Sequence, residues 1–472
     1  MTDNHEGAAE GASWPPVVPP DAKAAAPAFD EAPPDKLAFL RIAILMSLTV
    51  GINTLAGTFS GEKINYLMKD ELNLTAAGMA VVGIITGLGD YMRPFIGSLS
   101  DIVPIFGYHR RSYYAIGSLV SALGYACLGL EHTPKYAPFL VILTFMGAGG
   151  TMLMIMADAV MVKVGNRTGT VGVLQSIQQF VPSGLAVLGL AHMSGYVTTH
   201  WSDRQCFLTA AVTSLFTFPL FLLIDERRVI AERQQHETAA EHEERNRQKL
   251  AERQHTLTNL KTAAKSIELW AIVGFVFYLI FTPSVNNAQF MYQVNYLHFT
   301  KQQIGNLGSP GASGTMVGII LFGIASRFIP VRPIVWGAWL LDCLTYVILY
   351  GIHDYASAWM VTFISGVLGI IYTLCLFTLA ARACPPGIEG TVYGLVISAI
   401  SLSGALGEWV GDNIFDKLGG TQNLTIVHAW HESLIIGLLV TIPAVIFIPF
   451  LPKWTRSNEL LKSPTVHEPK PA

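Results

Sequence analysis

The sequence predicts an all-α integral membrane protein of twelve transmembrane helices arranged as two bundles of six. Three observations lead there. Of 472 residues, 51% are hydrophobic and only 13% are Asp, Glu, Lys or Arg, about half the charged share of an ordinary soluble domain. The apolar residues come in blocks of about 18 or more, enough to cross roughly 30 Å of hydrocarbon as helix. A single charged, weakly apolar stretch from Asp225 to Lys265 divides these blocks into two sets.

The first set runs Leu37–Phe59, Ala76–Ser98, Ser112–Leu130, Ala137–Val162, Thr170–Met193 and Cys206–Ile224. The second runs Ile267–Phe290, Gln303–Ala325, Val331–Tyr350, Ser357–Ala381, Ile388–Gly411 and Val427–Phe450. The expected organisation is therefore an N-terminal tail (1–36), a six-helix bundle (37–224), a cytosolic connector (225–266), a second six-helix bundle (267–451) and a short tail (452–472). The N-terminal tail carries Pro15, Pro16, Pro19, Pro20, Pro33 and Pro34 among Ala and Glu, too little apolar surface to fold alone. It lacks the basic and apolar regions of a cleaved signal peptide, so the first helix directs insertion.

Lys and Arg accumulate on the cytoplasmic side of membrane proteins. With both termini inside, the short inner loops hold Arg93, Arg110, Arg111, Lys163, Arg167, Arg327, Arg332 and Arg382. The outer loops hold Lys63, Lys69, Lys135, Arg204, Lys301 and Lys417, with the first two diluted by Glu62, Asp70 and Glu71. The expectation is a multi-pass protein of the cell (inner) membrane with cytoplasmic termini, working as a monomer.

Several function classes are excluded. A net charge of -3 without a basic stripe gives no nucleic-acid footprint. Cys127, Cys206, Cys343, Cys375 and Cys384 stand singly and read as small hydrophobes, without a disulfide or metal framework. No GxxxxGK[ST] loop is present, so ATP is not a direct energy source. No nucleophile elbow, metal cluster or cofactor loop suggests an enzyme, and no cofactor is expected.

Six helices, a charged connector and six more helices is the layout of the major facilitator superfamily, whose two pseudo-symmetric bundles rock about a central site. The stretch from Arg93 to Tyr113 carries Gly97, Asp101, Gly107, Arg110 and Arg111, similar to that superfamily's motif between helices 2 and 3 but lengthened. The insertion Ser100-Asp101-Ile102-Val103-Pro104-Ile105-Phe106-Gly107-Tyr108, followed by paired arginines, resembles the folate–biopterin transporter family. So do Tyr296-Leu297-His298-Phe299 with Ile304-Gly305, Leu174-Gln175-Ser176, and the run from Cys384 to Gly394. In order and spacing these stretches cover about Ile52 to Gly420.

The resemblance implies a secondary transporter of a folate, pterin or related organic anion, possible partners being the bilayer, the solute and protons. An alternative is a non-transporting relative that delivers pigment during membrane assembly. As for residues, Gly97 would let helices 2 and 11 approach, and Asp101 would sit at the N-terminus of helix 11, braced by Arg110 and Arg111. Such a latch forms only while the cytosolic side is closed, because a carboxylate at a helix N-terminus is held by unpaired amides and the dipole. The other reading is that the arginines are topology anchors.

Ionisable groups within a span cost about 2.5 kcal/mol or more and mark pathways or proton sites. Asp158 in helix 4 is either the protonation site or a packing acceptor. The family often places a second acid one turn later, whereas this chain has Val162 and Lys163 there. Asp90 and Arg93 are spaced to pair along one helix face; Asp342 is expected to be structural; Glu408 is an outer gate or an interfacial carboxylate. Gln175, Gln178 and Gln179 in helix 5, and Asn286, Gln289 and Gln293 in helix 7, are either ligand-lining carboxamides suited to a pterin edge or interhelical glue. Tyr292 or Phe290 would stack on a ring, and Lys163 or Arg93 would attract a carboxylate. Pro182 is expected to loosen helix 5. Gly147–Gly150 and Gly314–Gly318 read as packing positions, and His132, His192, His298 and His353 are assigned no role.

Overall fold

The computed structural model describes residues 36–108, 110–131, 135–168, 178, 180–224, 267–325, 331–382, 389–421 and 425–450. The connector (225–266), the C-terminal tail and the N-terminal tail up to residue 35 lie outside the described residues. Twelve helical segments follow in order. They are α1 (Lys36–Tyr66), α2 (Ala76–Thr86, Leu88–Tyr91 and Arg93–Ile102), α3 (Arg110–Leu130), α4 (Tyr136–Thr168), α5 (Phe180–Gly189 and His192–His200) and α6 (Asp203–Leu215). The second set is α7 (Ile267–Ile280 and Asn286–Met291), α8 (Lys301–Asn306 and Gly308–Ala325), α9 (Val331–Leu349), α10 (Tyr355–Arg382), α11 (Glu389–Lys417) and α12 (Ile426–Thr441).

By length and apolarity alone, eight described helices can cross a membrane, or nine with the bent pair of α5; Ala76–Thr86, Trp270–Ile280 and Val335–Leu349 are shorter apolar helices. Each of the twelve stretches expected from sequence coincides with one segment, consistent with the count. The boundaries differ in instructive ways. Helix α1 runs past Phe59 and continues through a π-turn to Glu71, so Lys63 is a helical residue and pairs with Asp203 of α6 at 2.8 Å. Helix α5 bends by 60° beside Gly189, whose φ of +123° only glycine adopts readily. The bend therefore falls at Gly189 and not at Pro182.

Helix α7 is interrupted from Phe281 to Val285. Pro283 has no N–H to donate and its ring clashes with the carbonyl one turn back, so the sequence's continuous seventh helix is two pieces. Helix α11 extends to Lys417, past the expected end at Gly411. It stops where Gly419, at φ +90°, lets the Gly420 amide reach back to the Phe415 carbonyl at 3.0 Å.

The face where α1 starts is termed proximal and the face where it ends distal. The apolar cores differ between them. A distal cluster joins both halves, with Tyr66, Met79, Leu128 and Phe139 packed among Phe290, Tyr292, Trp430 and Leu434. Proximally, each half has its own core, one around Leu45, Tyr114, Leu153 and Met156, the other around Ile272, Val276, Val335 and Leu376. Burying apolar side chains against each other is what the distal halves share and the proximal halves do separately. Glycine allows the tightest crossings: Gly149 lies against the Gly117 carbonyl and Ser121 amide, and Gly314 against the Phe363 carbonyl. At both glycine runs, packing is the role seen.

Candidate functional site

Along the seam between the halves lie two polar clusters. The first is centred on Arg93, which opens the last piece of α2 after the kink at Met92, with Pro94 in its first turn. Its Nη2 donates to Asp90 Oδ1 at 2.6 Å and its Nε to the same oxygen at 3.0 Å. Its Nη1 lies 3.7 Å from Asp158 Oδ2 on α4. Thr151 on α4 donates to Asp90 Oδ1 at 3.3 Å, and Gln178, entering α5, donates to Asp158 Oδ1 at 3.0 Å. The other half touches the cluster through Ser398 of α11, which donates to the Asp90 carbonyl at 3.3 Å. The side chains of Arg93, Asp90 and Asp158 keep 25%, 36% and 32% of their surface open. One guanidinium thus bridges two carboxylates, and the ionised cluster carries one uncompensated negative charge.

The pairing of Asp90 with Arg93 expected from sequence is present, and it reaches further, to Asp158, than a local pair would. Arg110 donates to the Ala159 carbonyl at 3.1 Å, and Arg111 lies over the rings of Tyr108 and Phe221 at 5.2 and 5.0 Å. The side chain of Asp101 lies outside the described residues. Among the described residues, a Cβ at Gly97 would have nothing within 4 Å. The start of helix 11 that was expected to approach Gly97 (383–388) lies outside the described residues.

The second cluster surrounds the break in α7. Gly407 and Gly411 of α11 press on its exposed backbone; a Cβ at Gly407 would meet the carbonyls of Ile280, Phe281 and Thr282 at 2.8–3.0 Å, and one at Gly411 would collide with the Ser284 carbonyl. Ser284 donates its amide to the Gly407 carbonyl at 3.2 Å, and Tyr346 of α9 donates to the Pro283 carbonyl at 2.8 Å. Where α7 resumes, Asp412 is fully buried. Its Oδ1 accepts from the Ala288 amide and its Oδ2 from Asn287 Nδ2, both at 2.9 Å. The same Asn287 nitrogen donates to Glu408 at 2.9 Å. Glu408 is thus placed in a carboxylate–carboxamide network.

Two further contacts close the distal face. Asp416 Oδ2 accepts from the Ala77 amide at 2.9 Å, joining α11 to the start of α2. Gly195 of α5 and Gly305 of α8 cross backbone to backbone, a Cβ on Gly195 meeting the Gln302 carbonyl at 2.7 Å.

The carboxamides expected to line a ligand are divided. Gln178 binds Asp158; Asn286 is exposed beside Glu408; Gln289 is half-buried; Gln293 is buried with Nε2 lacking an acceptor. Gln175 and Gln179 lie outside the described residues, as does the side chain of Lys163. The stacking role expected for Tyr292 and Phe290 is contradicted. Tyr292 stacks on Trp430 at 5.1 Å and donates to the Ile352 carbonyl at 3.2 Å, and Phe290 packs edge-on to Tyr66 at 5.2 Å; both are core. Asp342 accepts from Thr282 at 3.5 Å, beside the α7 break, in keeping with a structural role. Asn287, Asp412 and Asp416 were not anticipated. Their available signal was two acids four residues apart in the last turns of a helix, where the dipole disfavours them unless another helix supplies donors.

Among known structures, the backbone is similar to a D-xylose-proton symporter, with a TM-score of 0.62 at 16% identity over 88% of this chain and 98% of that one. It is similar also to the nucleoside transporter NupG, with a TM-score of 0.60 at 11% identity over 86% and 98%. The fold is that of the major facilitator superfamily, and the class is a multi-pass membrane protein with helices long and apolar enough to cross a bilayer. The BT1 family model matches residues 54–467, and the chain belongs to the BT1 family. Curated relatives include the "Folate-biopterin transporter" of Synechocystis sp., 27% identical over 423 residues and covering 86% of this chain and 81% of that one. Another is "Folate transporter 1" of Plasmodium falciparum, 22% identical over 443 residues, covering 89% and 80%.

Proposed function

We propose that this protein is a proton-coupled secondary transporter of a folate- or pterin-like organic anion, working by alternating access as a monomer in the cell membrane, with its proximal face and both termini in the cytoplasm. The family and its named relatives support the substrate class, and the family match favours transport over the pigment-delivery alternative. The observation that carries the coupling is Arg93 held between Asp90 and Asp158. With both acids ionised, the guanidinium is hydrogen-bonded to Asp90 and attracted to Asp158. A proton on Asp158 frees one side of it for a substrate carboxylate, so proton and anion bind together rather than in competition, and each raises the other's affinity by the same factor. Asp158 is the proton site; Gln175, Gln178, Gln179, Asn286 and Gln289 present donors and acceptors to the heterocycle, and Lys163 draws the anion inward.

In this assignment the structure faces the cytoplasm. Gly97, Asp101, Arg110 and Arg111 form the latch on that side, engaged only when the proximal halves meet. The test is uptake of folate and biopterin by the purified protein in liposomes under an imposed pH gradient. Asp158→Asn is expected to abolish accumulation along the gradient while leaving counterflow exchange, because an amide can neither release nor take up the coupled proton. If Asp158→Asn vesicles still concentrate substrate, the proton assignment fails; if wild-type vesicles take up neither compound, the substrate class fails.

A further inference from the structure

The last three turns of α11 hold three acids, Glu408, Asp412 and Asp416, and no helix favours carboxylates at its C-terminal end, where the unpaired carbonyls already carry partial negative charge. All three find donors in another helix, Glu408 from the Asn287 side chain and the two aspartates from backbone amides. Asp412 accepts from the Ala288 amide, in the first turn of the distal piece of α7. Asp416 accepts from the Ala77 amide, in the first turn of α2, 339 residues away. Each aspartate therefore caps the N-terminus of a different helix. The difference is that α7 and α11 belong to the same half, while α2 and α11 belong to opposite halves.

The start of α2 needs that second acceptor. Thr75, the N-cap residue, satisfies only the Gly78 amide through its hydroxyl. The Ala77 amide is one of the donors that a helix leaves without an internal partner, and the acceptor comes from across the seam. Asp416 is held in register by its neighbours. Asp412 one turn earlier is locked to α7, and the helix ends immediately after Lys417 at the positive-φ Gly419.

We infer that Asp416 is a positioning residue of the transport cycle: a distal latch that engages the N-terminus of α2 when the distal face is shut and releases it when that face opens. The inference rests on the transporter reading. It makes the distal contact a counterpart, with the helices exchanged, of the proximal latch expected from Asp101 of helix 2 toward the start of helix 11. In the conformation seen here the distal contact is made, and among the described residues nothing lies within 4 Å of a Cβ at Gly97 on the proximal side; under this inference the two latches engage in alternate states. Release is reversible for a physical reason. Asp416 Oδ1 is buried without a partner among the described residues, so opening the face to water hydrates an oxygen that closure leaves unpaired, offsetting the lost bond.

The test is hydrogen–deuterium exchange of the full-length protein in lipid nanodiscs without substrate, so its failure is distinct from failure of the substrate or proton assignments. Three variants are compared with wild type. Asp416→Ala removes the acceptor. Asp416→Asn keeps an acceptor oxygen but loses the charge. Ala77→Pro removes the donor at a first-turn position where proline is tolerated and leaves Asp416 in place. A latch predicts faster exchange both at 76–80 and at the separate crossing of α5 and α8 (192–196 and 302–306), by about 3- to 30-fold for Asp416→Ala and less for Asp416→Asn. Ala77→Pro should accelerate the crossing by a similar factor, and the double variant should be no worse than either single one. Exchange that rises only at 76–80, or singles whose effects at the crossing simply add, would reduce Asp416 to a local cap and overturn the inference. Should Asp416→Ala fail to fold, the other two variants carry the same test.

Discussion

The two polar clusters on the seam contain the same kinds of acid and use them differently. Around Arg93, two carboxylates share one mobile cation and remain about one-third open. Around Asn287, Asp412 is fully buried and fixed to a backbone amide and a carboxamide. A guanidinium between two acids can trade partners as one of them takes a proton. A carboxylate held by a helix N-terminus cannot trade without moving the helix. The comparison teaches that the first half leaves its charged groups partly open to solvent while the second fixes its acids to backbone and carboxamide donors, with α7 broken at Pro283 and supported by Gly407 and Gly411 of α11.

The largest expected effect tests the exchanging side. Arg93→Gln leaves Asp90 and Asp158 without the cation they share, and transport in liposomes should fall by roughly tenfold or more, each ~1.36 kcal/mol of lost pairing being tenfold in rate. If transport persists within threefold of wild type, the cluster is not the coupling site. Next comes the distal crossing. Gly195→Leu would drive a side chain into the Gln302 backbone, and overpacking of about 1–3 kcal/mol corresponds to roughly fivefold to 150-fold slower turnover. Gly97→Leu, placed where no described residue lies within 4 Å of a Cβ, should leave thermal stability in the present conformation nearly unchanged; equal loss of melting temperature in both variants would erase the distinction between the two faces.

On the holding side, Asp412→Ala orphans the Ala288 amide and one bond of Asn287. A destabilisation of about 1–3 kcal/mol is expected, read as a lower melting temperature of the purified protein. A drop in coupling without a drop in stability would show that Asp412 titrates in the cycle. The smallest effect belongs to an acid doing the same capping work in water. Asp354, fully exposed before α10, accepts from the Ser357 amide at 2.7 Å while Ser357 Oγ accepts from the Asp354 amide at 2.9 Å. These bonds to Ser357 hold its carboxyl below the usual range. Its stabilisation is present above the unfolded-state value and is lost as pH falls through the lowered folded-state value. Asp354→Ala should therefore lower the melting temperature slightly at neutral pH and not at all once the carboxyl is protonated; a pH-independent difference would refute capping by the ionised form.

Hydropathy is a property of short stretches, which is why the sequence alone specified a helical membrane fold consistent with twelve segments and, through the motifs from Arg93 to Tyr113 and Cys384 to Gly394, the family. Asp90 and Arg93 were legible for the same reason, being three residues apart on one helix. Ile304-Gly305 was legible as a motif but not as a crossing, since its partner Gly195 lies over a hundred residues away. Tertiary structure alone decided that Arg93 reaches Asp158, that Tyr292 is core, and that Asp412 and Asp416 serve helices other than their own. Each of these depends on which helices meet and at what height. The bilayer demands only that a span be apolar and internally hydrogen-bonded, and that demand leaves the pairing of helix ends and isolated charges to the packing of the two halves.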